Sequence, residues 1–156
     1  MANHGFITSK KTFKPEQVLQ DLQEINDRRF KGLLTIEKSD WSKLGSWFIG
    51  YQAKDWENPE GFNIWIRSPK KLEHRHSRAW AYYLEVVFSG ELAKKYNAIL
   101  SDEGHEDKWK PDTEKYPTFR AWLDVLYGHI KEAHPISYKA MIDLEMLYCP
   151  KEFIDC

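Results

Sequence analysis

The chain has 156 residues, the length of one ordinary domain. Its 23 basic and 24 acidic side chains leave a net charge of −1, which argues against a dedicated basic nucleic-acid coat but leaves room for a local basic patch. Apolar residues make 42% of the chain without any run long enough to span a bilayer, and the excess lies in rings: seven Trp, eight Tyr and eight Phe. Large rings bring much buried area per residue, together with stacking faces and interface anchors.

Residues 1–13 read as a loose arm without an apolar signal-peptide core. Ala2 and Phe153 break the myristoylation and prenylation patterns. Pro15 suits a first helical turn, and Val18, Leu19, Leu22 and Ile25 recur at helical spacing, which predicts a helix over about 15–29. Leu33–Lys38 is short and β-prone. Ser46–Gln52 and Phe62–Arg67 alternate with period two and read as strands joined by the turn-rich Asp55–Gly61, with Trp56 on or under that loop. Residues 71–76 fit either a loop or a further short strand. Ala79–Phe88, apolar on both faces, reads as a central strand.

Ser89 is then the expected cap of a helix carrying Leu92, Tyr96, Ile99 and Leu100, stopped at Gly104. Residues 104–117 read as a polar loop. Thr118 opens a helix with Phe119, Trp122, Leu123, Leu126 and Ile130, and a last helix spans about 136–147. Strands and helices segregate, which predicts a single α+β domain over 1–156: an antiparallel sheet of about four to five strands over about 33–88, packed against an N-terminal helix and about three C-terminal helices.

The segment Arg67–Arg78 carries the clearest chemistry. Arg67, Lys70, Lys71, Arg75 and Arg78 face a single acid, Glu73, and are flanked by Trp65, Trp80, Tyr82 and Tyr83. Cations beside rings suit an anionic, planar ligand, since Arg and Lys meet phosphate while Trp65 and Trp80 stack bases. The plainer account is a solvated turn, neutralised by the acidic stretch Asp102–Lys115 or by that stretch on a neighbouring subunit. Within the same segment, His74 and His76 lie two apart, on one face of a strand, and form half of a divalent-metal site. The third ligand would come from His105, Glu103, Asp107 or His129, all remote in sequence.

No nucleophile elbow, P-loop or dinucleotide fingerprint occurs, and no catalytic residue stands out. Cys149 and Cys156 form no disulfide framework, so reduced thiols in the cytoplasm are expected. Three readings follow. The first is a non-enzymatic binding module for a phosphate-bearing ligand, a nucleotide or single-stranded nucleic acid, needing no cofactor. The second is an assembly component forming a homo-oligomer, such as a viral structural or accessory subunit. The third is a metal-dependent hydrolase using His74 and His76.

Overall fold

Alternation of apolar and polar side chains builds a hairpin as expected: β3 (Ser46–Tyr51) and β4 (Glu60–Ser68) pair antiparallel across the predicted hairpin loop. The computed structural model describes residues 4–76, 79–103, 108–110, 117–154 and 156. Before this hairpin come β1 (His4–Thr8), α1 (Pro15–Phe30) and β2 (Thr35–Lys38). After it come β5 (Lys71–His76), α2 (Ala79–Tyr96), β6 (Ile99–Asp102), β7 (Lys108–Trp109), α3 (Phe119–Tyr127) and α4 (Pro135–Tyr148). The architecture is α+β. Among the described residues the sheet has seven strands in the order β2-β3-β4-β5-β1-β6-β7, every pair antiparallel.

Two compact units are distinguished, Met1–Pro111 and Asp112–Cys156. In the first, α2 crosses the sheet over β4, β5, β1 and β6, and α1 packs beside α2. The covered sheet face presents Ile7, Ile49, Phe62, Ile64, Ile66 and Leu72, all fully buried. Phe88 of α2 joins the layers: it stacks on Phe30 of α1 at 5.7 Å and tilts against Phe62 of β4 at 5.6 Å. A polar seam runs beside these rings. Asp21, 1% exposed, accepts hydrogen bonds from the Tyr96 hydroxyl at 2.6 Å and from Gln17 at 3.0 Å, and is paired with Lys95. Burial and the carboxylate acceptor together push the Tyr96 phenol well above its ordinary range. Helix α1 ends where Lys31 turns left-handed and the Gly32 amide donates back to the Asn26 carbonyl, a glycine-assisted stop.

In the second unit α3 packs against α4. The predicted cap holds, since the Thr118 hydroxyl accepts from the Ala121 amide at 3.1 Å. Phe119, Trp122 and Leu123 are buried, as is Ile142 of α4.

Three expectations are corrected. Ala79–Phe88 is the first half of a helix and not a central strand, and Ser89 lies inside that helix, its hydroxyl donating to the Val86 carbonyl instead of capping. The cause is an apolar sequence on both sides: Trp80, Ala81, Tyr83, Leu84, Val87 and Phe88 are buried, and the half-buried side carries Tyr82 and Val86, so no polar stripe marks the helical period. The helix stops at Tyr96. The Ala98 amide then closes onto the Ala93 carbonyl at 2.7 Å, and Ile99 and Leu100 belong to β6. His4–Thr8 is no arm but an interior strand, paired with β5 on one side and β6 on the other. The sheet therefore draws strands from both sides of the expected 33–88 block, and its strand count exceeds the expected one. Gly104 lies outside the described residues.

Candidate functional site

Strand alternation sorts the basic segment between the two faces of the sheet. On β5, Leu72 and His74 point to the face under α2, while Lys71, Glu73 and Arg75 point to the opposite face, which the described helices of the first unit leave open. The registers align that open face in rows across the strands. One row runs Ser101, Phe6, Glu73, Trp65, Ser46; the next runs His4, Arg75, Asn63, Phe48, Glu37. Arg67 follows Trp65 on β4 and reaches the same face, donating to Glu73 at 2.7 Å.

Trp65 is buried because other groups lie over it. Trp41, from the β2–β3 loop, stacks on it at 4.8 Å with planes 22° apart, and His4 meets it edge-on at 5.9 Å. The loop that delivers Trp41 is tied down at several points. Buried Ser46 accepts at Oγ from the Trp41 amide at 3.1 Å, the Ser42 hydroxyl donates to the Ile66 carbonyl at 2.6 Å, and the Ile66 amide donates to the Gly45 carbonyl at 2.9 Å. Trp41 itself stays 44% exposed, presenting a ring to solvent.

Charge on this face is unevenly engaged. Glu73, 4% exposed, is held between Arg67 and His4, whose Nδ1 lies 2.8 Å from Oε1. Its negative charge is therefore largely spent inside the cluster. Arg75 lies over the Trp41 ring at 5.6 Å, and among the described residues no carboxylate pairs with it. Lys71 lies over the Phe6 ring at 4.5 Å. The arrangement is one of cations resting on rings.

Of the residues expected to bind a phosphate-bearing ligand, Arg67, Lys71, Arg75 and Trp65 thus share one open face. Lys70 lies exposed in the β4–β5 turn, its carbonyl accepting from the Ser9 amide. Arg78 lies outside the described residues. Trp80 is elsewhere: it sits on α2, buried, with its ring edge-on to Tyr51 at 6.4 Å and Trp56 at 6.0 Å. The ring that stacks on Trp65 is Trp41. Sequence inspection passed over Trp41, His4, Phe6 and Phe48. Their signals are a lone Trp inside the turn-rich Ser39–Gly45, and alternation in His4–Thr8 too short to stand out beside an N-terminal stretch.

Of the paired histidines, His74 does not face an open metal site. His74 is buried, and its Nδ1 is paired with Glu85 of α2. Its Nε2 side packs on Gly5, where an added Cβ would come within 2.6 Å of that nitrogen. His76 takes the register position opposite Phe62, and its side chain lies outside the described part. Among the described residues no group of three or more His, Cys, Asp and Glu is placed to hold a metal ion. The acidic segment is only partly described: Asp102 pairs in register with Gly5, and Trp109 is half-exposed at the sheet edge. No helix among the described residues is long and apolar enough to cross a membrane. Comparison with known protein families, curated proteins and solved structures finds no match to this chain.

Proposed function

We propose that the protein is a binding module for single-stranded nucleic acid or a nucleotide, and that its open sheet face is the binding surface. The observation that carries this is the Arg75–Trp41–Trp65 stack, with a guanidinium free of carboxylate partners among the described residues, resting on an exposed ring. A base stacks on such a ring whatever its identity by taking the place that Arg75 holds over it, and the fork of Arg75 then meets a phosphate beside it. Arg67 and Lys71 extend the cationic surface on either side of Glu73, and Phe48 and Phe6 lie in the same rows, half-buried. Neighbouring strands are about 4.8 Å apart, so successive rings and cations suit a ligand of repeating bases and phosphates better than an isolated anion. No catalytic step is assigned. The reading places the protein in the reducing cytoplasm, in keeping with a sequence whose two cysteines make no disulfide framework.

The test is fluorescence anisotropy with a labelled oligodeoxythymidylate of about ten nucleotides, titrated at several salt concentrations. Binding is expected to weaken linearly in log–log form, and Arg75→Ala to reduce the slope by about 0.7, the share of one phosphate contact on a single strand. Absence of binding at low salt, or binding indifferent to Arg75→Ala, overturns the reading.

A further inference from the structure

The outward side of α4 is apolar where a surface helix is ordinarily polar. Ile136 is 86% exposed and Leu147 77%, and Leu144, Tyr148 and Met141 are exposed as well. At 100° per residue, Ile136, Ala140, Leu144 and Leu147 form one stripe, with Tyr148 and Met141 along its margin. Ile142, the buried residue of this helix, points away from it. From the exposed fractions and typical side-chain areas, the stripe offers on the order of 600 Å², at the upper end of the largest apolar patch on ordinary monomers.

Lys139 and Asp143 run along the opposite margin of the stripe, one turn apart. Both are exposed, and among the described residues neither has an ion-pair partner, although Lys131 of the same unit reaches Asp124 at 3.7 Å. Lys preceding the acid by four is the less favourable order within one helix. Across a two-fold axis the same pair is complementary. In an antiparallel helix pair each margin meets the same margin of the other copy with its order reversed. Centred near Met141, such a pair sets Lys139 of each copy against Asp143 of the other. It also sets Ile136 over Leu147, with Ala140 small enough at the middle for close approach.

We propose that α4 is an isologous homodimer interface, two copies of this chain packing their α4 stripes antiparallel with paired Lys139–Asp143 contacts. About 1,200 Å² buried in total is the lower limit of stable specific interfaces, so the dimer is a reversible one. The interface uses none of the residues assigned to ligand binding.

Sedimentation equilibrium of the full chain at low salt, from about 1 to 500 µM, reads the mass; a Kd inside this range matches an interface of this size. A rise from 18.6 kDa toward twice that value is expected. Lys139→Asp alone and Asp143→Lys alone place like charges across the axis, and each should weaken association at least about fivefold. A 1:1 mixture of those two variants restores complementarity in the heterodimer and should associate more tightly than either variant alone. Leu144→Glu should abolish association, with circular dichroism confirming that the helices remain. A mass of 18.6 kDa at every concentration overturns the proposal. So does a dimer indifferent to Leu144→Glu, or a mixture that associates no better than its components.

Discussion

Replacing Trp41 by Ala separates what the stacked rings do for the fold from what they do for a ligand. In the folded chain Trp41 makes an offset stack on Trp65 and carries Arg75 on its outer surface. An aromatic pair contributes about 0.5–1.5 kcal/mol beyond area burial, and an exposed cation–π contact about 0.5–1 kcal/mol. The buried half of the ring adds about 2 kcal/mol of area burial, so the stability loss is about 3–4.5 kcal/mol, within what a domain of this size withstands while staying folded. At a urea dependence of about 2 kcal/mol per molar, the unfolding midpoint should fall by roughly 1.5–2.2 M without a change of slope. The effect on binding is a separate quantity. Losing one base–ring stack costs about 1–3 kcal/mol, or about 5- to 150-fold in the dissociation constant for the oligodeoxythymidylate. Trp41→Phe, which keeps a smaller ring, should fall between. Both quantities come from one preparation, by urea titration of Trp fluorescence and by anisotropy. A Trp41→Ala protein that unfolds earlier by the stated amount yet binds within about twofold of the parent would refute the assignment of Trp41 as a stacking platform.

Glu73→Gln removes the one acid at the centre of the open face and releases Arg67 from its ion pair, so affinity for the oligonucleotide should rise about threefold at low salt and lose that gain at high salt. The same change should lower stability, because Glu73 is buried between Arg67 and His4. Gly61→Ala would put a Cβ 2.0 Å from the Ile49 carbonyl oxygen and 2.6 Å from the Gly50 Cα, both backbone atoms of β3, so it should cost about 3 kcal/mol or more in chemical denaturation. Gly128→Ala, with nothing within 4 Å and φ of −59°, is the control and should be neutral or slightly stabilising. Burial, with smaller contributions from Cys156 and Glu152, pushes the Cys149 thiol up to about 12. The folded state therefore holds this proton more tightly than the unfolded chain. The associated stability is fully present below about pH 9 and is lost as pH climbs from there toward 12. At pH 8 Cys149 should resist iodoacetamide in native protein and react promptly in urea; equal rates in both would contradict the buried placement.

Sequence patterns were informative wherever one side of an element faces water. The β3–β4 hairpin and α1 show their periods plainly, and α1 runs one residue beyond its expected end. The Arg67–Arg78 segment announced its charge, and period two then explains why Arg67, Lys71 and Arg75 share a face while His74 does not. Legibility failed where burial is complete or pairing is remote. The first half of helix α2 is apolar on its half-buried side as well as its buried one, so the run carries no period that separates it from a central strand. Strand β1 is held by β5 and β6, about 70 and 95 residues away along the chain, and nothing local in His4–Thr8 specifies those partners. Trp41 comes to lie on Trp65 because the Ser46 and Ser42 hydrogen bonds fold its loop back over that ring. That is a property of the tertiary structure and not of the loop's composition.

The same sorting explains how a chain of net charge −1 can present a surface for anions. At physiological salt a ligand senses charges within about 8 Å, so the balance on one face matters and the total does not. Open-face strand positions carry Arg67, Lys71, Arg75 and Lys108 against Glu37 and Glu73. Glu73 is moreover already committed to Arg67 and His4, which orients both partners and leaves Arg75 as the guanidinium with unspent donors. A buried acid at the middle of a basic surface thus acts as a fixed post. On the proposed reading it would lower the affinity that unpartnered cations give, while fixing Arg67 and, through His4 against Trp65, the Trp65–Trp41 stack before a ligand arrives.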